Sequence, residues 1–377
     1  MTAGFRKGKK GFSKALFLVV AFCSFAVLIK EPQTAIEHVR EGLFVCAHTV
    51  IPSLFPFMVL SGLFVELGFA DILSKILGRP MGALFGLRES SCSAPLMGAL
   101  CGFPIGALTA NGLYKKGEIT KEELTRLLAI SNIPSSAFLI SSVGSALWSS
   151  EKFGAVLYVI QLLCVLITAL FIRFFYPLKR EKENVRLYVK REISVRTFPK
   201  VVSEAAGAML NVCALILFFA SVIGTFMSIL SEMGMGRDFE ALIYGFFEMS
   251  GAVSETARLL PSERGMIITA LICGWSGLSV HFQVISVCYE NSVSFVPYFL
   301  SKAVQGVLSG AMMYFYLEYI DPSLVDVCIP TFSSVPSGKT STAFVILTNA
   351  VLVSGIIINI LRRRARKRGA RAVFQTI

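Results

Sequence analysis

Inside long apolar stretches, four short segments combine helix-breaking residues with side chains that could bind a polar solute. In the first, Gly102-Phe103-Pro104-Ile105-Gly106, the proline withdraws a helix donor and the flanking glycines permit a tight reversal; Thr109 and Asn111 follow. Its competing reading is small-residue helix packing. The second, Ser131-Asn132-Ile133-Pro134-Ser135-Ser136, is either a solute-facing break or an ordinary capped helix start. The third, Gly245-Phe246-Phe247-Glu248-Met249-Ser250-Gly251, carries a carboxylate within an apolar span, which is costly enough to be a functional suspect. Glu248 could bind a cation, carry a proton, coordinate Na⁺ or make a structural hydrogen bond. The fourth, Gly274-Trp275-Ser276-Gly277-Leu278-Ser279-Val280-His281-Phe282-Gln283, adds two hydroxyls, an imidazole and an amide. His281 is either a titrating switch or a satisfied structural group.

Backbone polar groups in lipid must find partners, so non-helical backbone at membrane depth survives only against protein or a wet cavity. Interrupted segments are therefore where a solute site belongs. Catalytic patterns are missing. Ser337-Gly338-Lys339-Thr340 ends like a phosphate-binding loop, but Ser333 stands where its leading glycine belongs and no strand precedes it. Gly274-Trp275-Ser276-Gly277 is one residue short of a nucleophile elbow. His38 and His48 lack metal-ligand spacing, and the nine cysteines form no CxxC pair. The chain is expected to be no enzyme and to hold no metal or cofactor. A coupling ion, H⁺ or Na⁺, stays open.

The elements carrying these segments must be membrane spans. Charged residues make up 16% of the 377 and hydrophobic ones 54%, with a mean hydropathy of +0.69. A soluble domain carries about a quarter charged residues. The charges are gathered at Arg6–Lys14, at Lys179–Lys200 and at Arg362–Arg371. The basic tail abuts an apolar span, so the net charge of +12 points to anionic lipid headgroups and not to nucleic acid. Spans are predicted at Phe12–Ile29, Leu43–Leu67, Leu127–Trp148, Phe153–Tyr176, Val201–Leu230, Phe239–Leu260, Ser294–Ile320 and Thr342–Leu361, each near the ~20 residues a crossing needs. Ser90–Leu113 and Gly265–Tyr289 are rich in Gly, Ser and Pro at their centres and are expected to be re-entrant hairpins or broken helices.

The expected fold is thus all-α: a polytopic membrane protein of about eight transmembrane helices plus two hairpins, with an internal repeat. Basic residues place both termini and both hairpin mouths on the cytoplasmic side, the 177–200 loop alone holding eight against three acidic. The divisions are an N-terminal basic segment with the first span (1–42), a first half (43–176) with hairpin 90–113, a basic cytoplasmic loop (177–200), a second half (201–320) with hairpin 265–289, and a last span with basic tail (321–377). The repeat rests on Leu100-Cys101-Gly102-Phe103 matching Ile272-Cys273-Gly274-Trp275. Whether the halves are parallel or inverted stays open, as does the oligomeric state.

Together, IPSLFPFMVLSGLF, GALCGFPIGALTANGLYKKGEITKEELTRLLAISNIPS, GFFEMSGA and GWSGLSVHFQVIS resemble the YlbJ-type sporulation integral membrane proteins, of the nucleoside-recognition (Gate) domain group, over roughly residues 43 to 320. That group is distantly similar to concentrative nucleoside transporters. The resemblance implies a permease in a multi-pass cell membrane, carrying dipicolinic acid across the outer forespore membrane during sporulation. Nucleosides or another small metabolite are the related cargo, and a non-transporting scaffold in spore-envelope assembly is the competing role. The resemblance carries over Gly102, Pro104, Gly106, Asn132, Glu248, Gly251, Ser279, His281 and Gln283. GFPIGA stands where a GYPMGA-like pattern belongs, and SNIPSS where an FTNTSGP-like one does. A planar dianion needs donors such as Asn132, Ser135, Ser276, His281 and Gln283, with broken-helix N-termini beside them. Glu248 would repel it unless protonated, cation-paired or set aside.

Overall fold

A computed structural model describes residues 18–68, 76–82, 85–175, 197–291 and 293–328. Every regular element among them is helical. The predicted last span, the basic tail, most of the 177–200 loop and the start of the first span lie outside the described residues.

Helix α1 (Leu18–Lys30) meets α2 (Pro32–Val45) at a 102° bend. Pro32 bars its predecessor from helical geometry, and Glu31 sits at φ −128°, ψ 62°. A π turn (Cys46–Val50) joins α2 to α3 (Ile51–Leu67), placed where the Pro52 ring would strike the His48 carbonyl. This rod runs antiparallel to α8 (Thr197–Glu232), a 36-residue helix of about 54 Å. His38 Nε2 lies 3.3 Å from Ser228 Oγ near one end, and Lys200 Nζ lies 3.0 Å from Glu66 near the other.

Between the rod and α8 in sequence come α4 (Ser93–Cys101), α5 (Ile105–Lys115), α6 (Lys121–Ile130), a π-helical stretch (Phe138–Leu147) and α7 (Glu151–Phe175). Thr120 and Glu123 start α6 with reciprocal side-chain-to-backbone bonds of 3.2 and 2.9 Å. After α8 follow α9 (Arg237–Phe247), α10 (Met249–Leu259), α11 (Glu263–Trp275), α12 (Gly277–Cys288), α13 (Val296–Phe315), a π turn (Tyr316–Ile320) and α14 (Leu324–Val327).

Two expectations about the second half are corrected. Of the two alternatives for Gly265–Tyr289 the broken helix holds and the hairpin does not: α11 and α12, interrupted at Ser276–Gly277, continue as one run, Glu263–Cys288, of 26 residues. The reversal lies instead between α9 and α10, which pack on each other inside the predicted crossing Phe239–Leu260. Hydropathy alone cannot separate one 22-residue crossing from two short helices folded back, and the Glu248 carboxylate decides by starting a new helix.

The reversals also enter from opposite ends. Lys115, at the end of α5, lies 3.5 Å from Glu290, and Asn111 Nδ2 donates to Val287 O at 2.7 Å. The start of α11 lies at the other end, where a Cβ on Gly265 would meet Trp148, and Lys152 pairs with Asp321 at 2.6 Å. The mouth of α4–α5 is therefore at the Lys115 end and that of α9–α10 at the Lys152 end. The expectation that both open on one side concerns Gly265–Tyr289; the reversal found instead, α9–α10, opens at the end opposite α4–α5, because α11–α12 runs on without turning back.

Three described helices are long and apolar enough to cross a membrane: Glu151–Phe174, Thr197–Glu232 and Glu263–Cys288; the bent pair α1–α2 makes a fourth. Outward faces carry bare Phe22, Phe174 and Val307, as lipid contact requires. Two interior clusters bind the halves together. Trp148, Phe153 and Leu157 pack with Met249, Cys273 and Met313, while Leu113, Leu124 and Leu127 pack with Val284 and Tyr298.

Candidate functional site

All four singled-out segments interrupt helices, and they meet in pairs. In the first half, the Gly102–Pro104 reversal lies against the break that follows α6. Phe103 N donates to Ile133 O at 3.0 Å. Gly98 and Gly106 clamp the Ser131 carbonyl from two sides, and a Cβ on either would overlap its oxygen. Gly102 has φ +80°, which glycine adopts freely, and a Cβ there would sit 2.6 Å from Ser135 N. Pro104 precedes the first residue of α5. Asn132 Nδ2 donates to Leu128 O at 2.7 Å, while its Oδ1 finds no partner among the described residues. Ser135 Oγ accepts from Phe138 N at 3.1 Å, so this serine starts the next helical stretch.

In the second half, the Glu248 reversal lies against the break between α11 and α12. A Cβ on Gly277 would sit 3.0 Å from Met249 N and 3.2 Å from Phe247 O. Ser276 and Gly277 both take left-handed backbone, φ +75° and +76°, which displaces the chain without reversing it. Glu248 accepts from Ser250 N at 2.9 Å and Gly251 N at 2.6 Å, capping α10 with a carboxylate where the helix dipole favours one. Ser276 Oγ donates to Cys273 O at 3.2 Å. Gln283 Nε2 donates to Ser279 Oγ at 3.5 Å. His281 Nδ1 lies 2.9 Å from Tyr298 OH, and the ring is boxed by Trp275, Tyr298 and Phe299 with centroids 4.4–5.2 Å away. Its Nε2 has no hydrogen-bond partner among the described residues.

The two pairs of breaks are joined by α13. Tyr298, Ser301, Lys302, Gln305 and Ser309 recur at helical spacing and are all buried. Ser301 Oγ and Gln305 Nε2 both donate to Ala129 O, at 3.3 and 3.2 Å, just ahead of the first-half break. Gly274 packs on the Gln305 backbone, and Tyr298 holds His281. Ser309 accepts from Gln161 at 2.7 Å, tying in α7. Lys302 is wholly buried, and its Nζ finds no acceptor among the described residues. A lysine at mid-span costs about 2.5–3.5 kcal/mol on insertion scales, which marks such a residue as functional. The legible signal for Lys302 within Ser294–Ile320 is the polar spacing 298, 301, 302, 305, 309.

Gly102, Pro104, Gly106 and Ser135 thus share one crossing with Asn132. Ser276 shares the other with Glu248, and Ser279, His281 and Gln283 follow along α12. Two clefts open elsewhere. One of about 290 Å³ lies between α3, α5 and α8, lined by Ser61, Thr109, Lys115, Lys116, Lys200 and Glu204. The other, about 590 Å³, is an apolar groove between α7 and α13. Neither is lined by Pro104, Asn132, Glu248 or His281.

The chain is similar to the sporulation integral membrane protein YlbJ of Bacillus subtilis (strain 168), with 24% identity over 367 residues covering 87% of this chain and 89% of that one. No family model matches the chain. No solved structure matches it either.

Proposed function

We propose that this membrane protein is a permease for a small polar or anionic metabolite, with dipicolinic acid moved across the outer forespore membrane during sporulation as its cargo. Nucleosides are the alternative class. Similarity to a sporulation integral membrane protein supports the setting. The observation that carries the transport reading is the pairing of breaks: two helix reversals, entering from opposite ends, each rest on an interrupted helix, and one polar helix touches both. Interrupted backbone at membrane depth is tolerated where it serves a solute path. On this reading the halves are an inverted duplication, and the packed crossings are a closed state between two open ones.

Exchanging crossing for hairpin in the second half keeps the proposed count at eight and both termini on the cytoplasmic side with Lys115, Lys116 and Lys200. On this reading Glu248 is set aside from the cargo, its two oxygens engaged in capping α10. The test is flux of pyridine-2,6-dicarboxylate in proteoliposomes, beside the dipicolinate content of spores whose own YlbJ has been replaced by this chain. Restored content with measurable flux is expected. Absence of both sinks the permease reading.

A further inference from the structure

The Lys302 ammonium presents three donors in an interior that supplies it no acceptor among the described residues. Its electrostatic neighbours are His281 on α12 and the thiols of Cys164 on α7 and Cys273 on α11, none a carboxylate. Several described carboxylates are engaged elsewhere: Glu248 caps α10, Glu123 pairs with Arg88, and Glu66, Glu290 and Asp321 pair with lysines toward the two ends. Another polar atom among these neighbours, His281 Nε2, also lacks a partner among the described residues. Flat aromatic surface is present as well, since Trp275 and Phe299 flank His281.

We propose that Lys302 is the counter-charge for a carboxylate of a planar aromatic solute, held between α13, α11 and α12 with His281 as its polar neighbour. This rests on the permease reading and narrows it: a buried ammonium with no counter-charge among the described residues is neutralised by an organic anion and not by an uncharged nucleoside, so the solute is an organic anion. A buried cation without a partner is a poor structural device, because apolar replacements of buried charges are commonly neutral or stabilising. A bound carboxylate supplies the missing acceptor through a charge-assisted bond.

The experiment uses the full chain in nanodiscs and proteoliposomes, with Lys302→Gln and Lys302→Met beside wild type. Pyridine-2,6-dicarboxylate binding is read by calorimetry, dicarboxylate and uridine flux by radiolabel, and folding by thermal unfolding. Both variants should lose about 10- to 100-fold in dicarboxylate affinity, the range for a charged hydrogen bond, while melting at or above wild type. In wild type, dicarboxylate should slow modification of Lys302 by a small amine reagent, and uridine or chloride should not. Unchanged affinity in both variants overturns the proposal, as does loss of binding accompanied by loss of folding in both. Equal protection by chloride reassigns Lys302 to inorganic anions and overturns it too. Wild type that moves uridine but no dicarboxylate refutes this inference alone; wild type that moves neither refutes the permease reading beneath it.

Discussion

Gly274→Ala probes the joint on which the two halves depend. A Cβ at position 274 would stand 2.6 Å from Gln305 O, 2.8 Å from Gly306 Cα and 2.9 Å from Gln305 C. All three are backbone atoms, so no side chain can swing aside. Restoring a separation of 3.0–3.4 Å to the oxygen requires α11 and α13 to part by 0.4–0.8 Å. Gln305 Nε2 reaches Ala129 O at 3.2 Å, already near the limit, and a shift of that size would break the bond. Helix propensity opposes the loss, since alanine is favoured over glycine by about 0.5–1 kcal/mol. Overpacking costs about 1–3 kcal/mol, so overpacking wins. The expected net destabilisation is about 1–2 kcal/mol. Seven of the cysteines are buried, so a thiol-reactive dye reports unfolding directly in detergent. Gly306→Ala is the contrast, because its nearest atoms are 3.2 Å away and propensity should roughly balance contact. Gly274→Ala melting at or above wild type would refute the claim that α11 and α13 are locked backbone to backbone.

Glu248→Ala should cost about 0.5–2 kcal/mol of stability, as loss of a capping side chain does, with Glu248→Gln in between; matching melts for Ala and wild type would remove the cap as the reason for the reversal. Ser262→Cys and Glu122→Cys, in a Cys23→Ser background, should be labelled by impermeant thiol reagents from opposite faces of oriented vesicles, and labelling from one face would restore two hairpins opening together. Asp321 is held below its ordinary value by Lys152 and Ser323, so its contribution is present above the unfolded pKa and lost as pH falls through the folded one. The melting difference between wild type and Asp321→Asn should be small, positive at neutral pH and start to shrink only as pH falls below about 4, and a difference that disappears already above about pH 5 would exclude the ion pair as its source.

Much of this architecture is legible in the residue order. Apolar runs bounded by basic clusters dictate membrane helices, because a chain with so few charges cannot cover a water-facing surface. Gly102-Phe103-Pro104, Ser131–Ser135 and Ser276–Gly277 announce breaks, since proline lacks a donor and glycine tolerates left-handed backbone. What stays hidden is which break turns the chain round. Glu248 looks like an ion or proton site by composition, yet it caps a helix, because the N–H groups of Ser250 and Gly251, two and three residues on, lie within its reach once α10 starts at Met249. The choice between reversal and crossing likewise depends on Gly277 packing against Met249 and on α11 packing along α13, contacts between residues far apart in sequence. Lys302 makes the same point from the other direction. Its presence and its polar neighbours along α13 are plain in the sequence, but only tertiary packing leaves its Nζ without an acceptor among the described residues, and an unpartnered charge is a property of surroundings and not of residue type.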